Sequence, residues 1–255
     1  MERKENPDIF SIVANTIIKW YDQTYTTMTV ARKPPSPLNS ELMGILLTAK
    51  KQTEGALTTL ANKNILSTHV LLRILFEIHI VLKWALNAPA NEGKSKSDEV
   101  YKRFRSWDYD RLTKDRKLLE NLPQTPEIES AIGKINSDIE KLQKQGIKKL
   151  PDVRQLYDDV LGEDSAEMYA KSYRTYSRAV HLNRNITQKL AWIEEENEES
   201  KKELYKDDIE DDGDELLIVA SISCDINKAI RGFYDWHSDA MQNEYDEVKS
   251  KLEKK

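Results

Sequence analysis

The sequence predicts an all-α protein, a helical bundle around a central buried helix over residues 65–86, with a projecting helical hairpin and a long C-terminal helix. Three observations lead to this prediction. Only eight glycines and eight prolines interrupt 255 residues. Apolar residues recur every three or four positions over long runs, which is the period of an amphipathic helix. Charged residues make up 33% of the chain, a composition typical of helical proteins when helix breakers are few.

The first two helices are predicted from apolar spacing and from the prolines between them. Residues 8–22 carry apolar side chains at helical spacing. Three prolines between positions 34 and 37 predict a connector, because proline is excluded from helix interiors. We therefore assign residues 1–38 to an N-terminal helix and connector. Asn39 or Ser40 can cap a second helix that runs to about position 63.

The third helix reads ILSTHVLLRILFEIHIVLKWAL over residues 65–86. Its apolar side chains occur on every face, which is typical of a helix that neighbours cover completely. Arg73 and Glu77 are four residues apart and share one face, and burying them is costly unless each is paired. Three more polar residues interrupt the run and argue against a membrane span: His69, His79 and Lys83.

The middle of the chain predicts a helical core over residues 39–193 with an inserted peripheral hairpin at about 99–150. Its first helix alternates heavily in charge and ends near position 121. In its second helix, residues 126–145, isoleucine and leucine recur every three or four positions with charges between them. Such a narrow apolar stripe is typical of a projecting hairpin or coiled-coil arm.

The last part of the chain combines a long core helix, an acidic stretch and a terminal helix. Residues 166–193 complete the core. Residues 194–215 contain thirteen Asp and Glu against three Lys, which predicts an acidic loop. Residues 216–255 predict a C-terminal helix that packs on the core.

The net charge of the whole chain is −5, so the chain outside the acidic loop is mildly basic. A basic body suits nucleic-acid binding, although a solvated charge run beside an ordinary surface explains the same numbers.

One face of the 166–193 helix concentrates chemically active side chains. At about 100° per residue, five of them share a face: Arg174, Ser177, Arg178, His181 and Asn185. Arginine binds phosphate oxygens bidentately and histidine exchanges protons near neutral pH, so this face suits a phosphate. A structural role fits as well, with His181 hydrogen-bonded at the edge of the core and an arginine paired with Glu77. Since Arg73 and Glu77 need partners, we expect the two polar faces to meet.

Two short strings, LLRILFE and YRTYSRAVH, resemble known helical families. Their matching residues are Arg73, Phe76 and Glu77 in the first string and Tyr173 or Tyr176, Ser177 and His181 in the second. Over roughly residues 40–185 the chain resembles a family of uncharacterised helical proteins, a domain of unknown function. The layout is also similar to HEPN domains, in which an arginine and a later histidine, with four to six residues between them, form a metal-independent ribonuclease site. Here six residues separate Arg174 from His181.

The resemblance implies an endoribonuclease or RNA-binding effector that uses no metal and no cofactor. His181 would be the general acid or base, Arg174 would stabilise the phosphate charge, and Glu77 with Arg73 would orient them. Four residues would contact the substrate: Arg178, Ser177, Tyr176 and Asn185. It also implies RNA or a nucleotide as partner, a homodimer or a protein partner of a defence system, and a role as toxin or antiviral component.

The alternative is a non-catalytic all-α sensor or protein-interaction module, in which the Arg/Glu/His cluster is a structural network. Exposure of the cluster distinguishes the two functions.

The start, MERKENPDIF, shows no apolar signal-peptide region, and Cys224 is the sole cysteine. We therefore expect a cytoplasmic protein without an intrachain disulfide and without membrane association.

Overall fold

The structure is a computed structural model that describes residues 9–31, 36–89, 95–164, 169, 176 and 212–253. Within these residues it contains α-helices and one short 3₁₀ turn at Gly162–Asp164, and no strand, so the predicted all-α class is confirmed. The helices are α1 (Ile9–Val30), α2 (Pro37–Ala61), α3 (Ile65–Leu86), α4 (Lys96–Glu120), α5 (Pro126–Lys144), α6 (Val153–Leu161), α7 (Asp212–Phe233) and α8 (Asp239–Leu252).

Short polar side chains cap the starts of five helices, as the unpaired N–H groups of a first turn require. These caps are Ser36, Asn64, Ser95, Thr125 and Asp152. Ser36 Oγ accepts a hydrogen bond from the backbone N–H of Asn39 at 3.1 Å. The expected cap of α2 at Asn39 or Ser40 was therefore wrong. Pro37 begins the helix, since the first helical position needs no N–H donor.

Helix α1 continues beyond the predicted end at position 22 to Val30. Thr24 and Met28 prolong its inner face at helical spacing, and both are buried. The connector before α2 is accordingly shorter than the sequence predicts. Burial of these two side chains outweighs the weak helix propensity of the threonine-rich stretch.

The predicted terminal helix over 216–255 is divided in two, as α7 and α8. The break lies between Phe233 and Asp239, where Asp235 adopts a φ of 55° that an α-helix does not permit. Helix α7 also begins earlier than predicted, at Asp212, inside the stretch expected to be an acidic loop. Its Glu215 is 5% exposed and belongs to the interior.

Helix α3 lies at the centre of the bundle and contacts α2, α4, α6 and α7. Leu72, Leu75 and Leu82 on α3 are fully buried. Helix α3 is also long and apolar enough to cross a membrane, but the buried core helices of other proteins meet the same criterion of length and composition. Its predicted bounds, 65–86, agree with the structure.

Helices α4 and α5 pack against each other as a hairpin. The first half of α4 inserts Val100 and Phe104 into the core. Near the tip of the hairpin, Leu118 of α4 is largely exposed. Ile139 and Leu142, which lie near the C-terminal end of α5 and away from the tip, are buried. The apolar stripe of α5 therefore faces the hairpin interior.

Candidate functional site

The histidine and charged side chains of α3 lie on one side of the helix. At 100° per residue they span an arc of about 160°: His69, Arg73, Glu77, His79 and Lys83. We call these five residues the polar arc. Phe76 lies within the arc, and α7 packs beside it. The central helix thus has one chemically active side, and its remaining surface is apolar except for Ser67 and Thr68 in its first turn.

At the start of α3, His69 pairs with a buried carboxylate of α7. His69 Nε2 lies 2.5 Å from Glu215 Oε1. Glu215 is 5% exposed, and its second oxygen, Oε2, has no hydrogen-bond partner in the described part of the chain. A buried carboxylate is tolerated only when it is paired. Within the described residues, His69 is therefore the partner that compensates the burial of Glu215.

The two residues predicted to need partners, Arg73 and Glu77, pair with each other. Arg73 Nε donates to Glu77 Oε1 at 3.2 Å, the geometry of an i, i+4 pair on one helix face. The Arg73 side chain is 17% exposed and that of Glu77 is 39% exposed. Each residue also makes a further interaction besides this pair. The pair lies at the protein surface, where solvent can reach the carboxylate.

Tyr176 packs directly on the polar arc. Its ring stacks on Phe76 with centroids 5.7 Å apart and meets the edge of the His69 ring at 4.9 Å. Tyr176 is 6% exposed and belongs to the main hydrophobic core. Five other predicted site residues lie outside the described residues: Arg174, Ser177, Arg178, His181 and Asn185. Among the predicted site residues, the structure therefore brings Tyr176 close to the arc that holds Arg73 and Glu77.

A second ionic cluster lies near the end of the polar arc. Asp225 Oδ2 on α7 is 3.3 Å from Lys83 Nζ and 3.3 Å from His79 Nε2. The His79 Nε2 atom is buried and makes no hydrogen bond of standard geometry within the described residues. Burial raises the pKa of the Asp225 carboxyl, but the His79 imidazole and the Lys83 ammonium outweigh burial and lower that pKa to about 2. Asp225 is therefore ionised at neutral pH.

This second cluster borders a cavity of about 280 Å³ between α3, α6 and α7. Aromatic and aliphatic side chains form most of its described wall, and His79, Lys83, Ser221 and Asp225 contribute the polar atoms. Sequence reasoning did not identify this site. One signal was available, because His79 and Lys83 are four residues apart in an apolar helix and need an acidic partner as much as Arg73 does.

The fold and the polar arc together define an all-α protein whose central helix carries ion pairs and histidines. A family model described as a family of unknown function, DUF5677, matches residues 42–200, more than half of the chain. The chain therefore belongs to this family, and the expected membership of a family of unknown function is confirmed. Comparisons with curated proteins and with solved structures found no match.

Proposed function

We propose that the protein is a HEPN-like, metal-independent endoribonuclease that acts through Arg174 and His181. One observation supports this proposal most directly. Tyr176 packs on Phe76 and His69 within the polar arc, and Arg174 and Arg178 stand two residues before and after it in the sequence. We infer from this contact that the proposed phosphate-binding residues lie near the arc that carries Arg73 and Glu77.

The proposed reaction needs only groups that the chain and water supply. The ribose 2′-hydroxyl attacks the adjacent phosphorus, the bond from phosphorus to the 5′-oxygen breaks, and the products carry a 2′,3′-cyclic phosphate and a 5′-hydroxyl. His181 removes the proton of the 2′-hydroxyl or gives a proton to the leaving 5′-oxygen, and water exchanges the other proton. Arg174 stabilises the additional negative charge on the phosphoryl oxygens.

Supporting residues complete the proposed site. Arg178, Ser177 and Asn185 hold the substrate, while the pair of Arg73 and Glu77 orients the catalytic groups. Tyr176, which the sequence also predicts as a substrate contact, is 6% exposed and packs in the core. The side chain of Glu77 is 39% exposed, so a substrate in solution can approach this end of the arc. The same resemblance supports a cytoplasmic homodimer, or a complex with a protein of a defence system, that acts as a toxin or antiviral component.

The test compares RNA cleavage by the parent protein, His181→Ala and Arg174→Ala, with EDTA present. His237→Ala and Arg111→Ala are matched controls, because His237 is exposed and Arg111 is 68% exposed on the hairpin. We expect cyclic-phosphate ends from the parent and both controls, and at least about a hundredfold loss in the two site variants. Circular dichroism checks folding. Equal cleavage by a folded His181→Ala variant would refute the assignment.

A non-catalytic module is the second candidate, and a different observation favours it. The pair His69–Glu215 and the cluster His79–Asp225–Lys83 join α3 to α7 at two places. Polar contacts of this kind can fix the register of two packed helices. For a module, the parent protein would produce no cyclic-phosphate ends, and His181→Ala would lower thermal stability instead of activity.

A further inference from the structure

The cavity between α3, α6 and α7 has the dimensions and the walls of a small-molecule site. Its volume is about 280 Å³, close to the lower limit of roughly 300 Å³ for ligand pockets. Three aromatic rings contribute to the wall, those of Phe76, Tyr157 and Tyr176. Such rings bind a flat aromatic ligand by stacking or by edge-to-face contact.

The polar atoms of this cavity have spare hydrogen-bonding capacity. Asp225 uses Oδ2 for both Lys83 and His79, and its Oδ1 makes no hydrogen bond to another described residue. The Ser221 hydroxyl also lines the cavity and has no hydrogen-bond partner in the described ranges. A carboxylate oxygen and a hydroxyl at the edge of an apolar space favour a ligand that donates a hydrogen bond.

The two charged groups at this edge of the cavity have opposite signs. Lys83 Nζ and Asp225 Oδ2 are 3.3 Å apart, so the ammonium and the carboxylate largely neutralise one another. A charged ligand would bring an uncompensated charge into a mostly apolar cavity, which is costly. The chemistry therefore favours an uncharged ligand.

We propose that this cavity binds an uncharged aromatic molecule that donates a hydrogen bond to Asp225 or Ser221. The aromatic body packs against Phe76, Tyr157 and Tyr176. The proposal concerns Tyr176 and residues of α3, α6 and α7. It does not depend on RNA cleavage, so the two proposals can fail separately.

N-phenyl-1-naphthylamine is a suitable probe, because it is uncharged, aromatic and carries one N–H donor, and its fluorescence rises in apolar surroundings. We expect a saturable increase at one probe per chain and a higher melting temperature with the probe present. Absence of a saturable increase in the parent protein would overturn the proposal. Saturable binding of the anionic 1-anilinonaphthalene-8-sulfonate without binding of the uncharged probe would also overturn it.

Variants that fill the cavity test whether the probe binds there. Ser221→Leu on α7 and Leu161→Trp on α6 fill the cavity from two different helices, and we expect each to weaken binding by about tenfold or more. Ser130→Leu is the matched control, since Ser130 is exposed on the hairpin. Asp225→Asn removes the anionic acceptor at nearly constant shape and should weaken binding about fivefold. If the folded filling variants bind as tightly as the parent, the probe lies elsewhere and the proposal is wrong. Leu161 lies at the end of α6, so its variant provides a second test if Ser221→Leu does not fold.

Discussion

His69 Nε2 on α3 lies 2.5 Å from Glu215 Oε1 on α7, and this contact joins the starts of the two helices. Ten residues further along α7, Asp225 contacts His79 and Lys83 of the same α3. At 1.5 Å per residue the two contacts are about 15 Å apart. Because both run in the same chain direction, α3 and α7 are parallel, and sliding one helix by a turn would break both contacts.

Removing His69 should destabilise the fold more than its partial exposure suggests. In His69→Ala the Glu215 carboxylate, 5% exposed, loses its partner, and we expect the free energy of unfolding to fall by about 3 kcal/mol. Urea denaturation followed by circular dichroism measures this change.

The control for His69→Ala is His237→Ala, at an exposed position, where we expect less than about 0.5 kcal/mol. The double variant His69→Ala with Glu215→Gln should recover part of the loss, because the amide does not carry the buried charge. If the double variant loses the sum of the two single effects, the pair is not coupled and this account of Glu215 is wrong.

Asp225 should stabilise the fold in a pH-dependent way. Its pKa is about 2 in the folded protein, against an ordinary value of 3.8. A lowered folded pKa means that the contribution is complete above about pH 4 and is lost as the pH falls toward 2. Since the side chain is 40% exposed, solvent screening limits this contribution to about 1 kcal/mol. The stability difference between the parent and Asp225→Asn should therefore shrink between pH 5 and pH 3.

The control for this pH dependence is Asp138→Asn, which removes an exposed pair with Lys141. We expect it to change the free energy of unfolding by less than about 0.5 kcal/mol at pH 7. Urea titrations at several pH values compare both variants with the parent. A constant difference between the parent and Asp225→Asn down to pH 3 would contradict the lowered pKa.

A buried chain of hydroxyls joins α1, α2 and α7. The Tyr21 hydroxyl lies 3.1 Å from Thr53 Oγ1, which lies 3.3 Å from Ser223 Oγ. Tyr21 is fully buried, and burial raises its pKa to about 12. Tyr21→Phe leaves the Thr53 hydroxyl with one fewer partner, so we expect a loss of about 1 to 2 kcal/mol in urea denaturation. Tyr25→Phe, at a position 37% exposed, should change little, and equal effects of both variants would argue against the network.

The sequence predicts α3 well because its ends are marked chemically. A mostly apolar run lies between polar residues at positions 62–64 and Asn87, and the bounds 65–86 follow from it. Helix α5 has a similarly clear stripe, and its predicted end at position 145 differs from the observed Lys144 by one residue. The break between α7 and α8 was missed, because no proline stands there and Asp235 adopts a positive φ that few residues accept.

Partners across the fold are harder to predict than helices. Periodicity shows that a charged residue in an apolar helix needs a partner, but it does not show which one. His69 and Lys83 find their partners 146 and 142 residues later in the sequence. The sequence also predicts that Glu215 lies in an acidic loop, because its neighbours in the chain are charged. In the structure Glu215 is buried and pairs with His69, which its neighbours do not indicate.

A substitution in the pair of Arg73 and Glu77 should affect RNA cleavage more than the stability of the fold. Because Glu77 is 39% exposed in an i, i+4 pair, Glu77→Gln should lower the free energy of unfolding by less than about 1 kcal/mol. If the pair orients Arg174 and His181, as the proposed ribonuclease requires, the same variant should lower kcat for RNA cleavage about tenfold with little change in KM. Glu120→Gln, which breaks the exposed pair with Arg116 on the hairpin, is the matched control. Unchanged kcat in a folded, active Glu77→Gln variant would remove the pair from the catalytic site, because a group that orients the reacting residues must affect the chemical step.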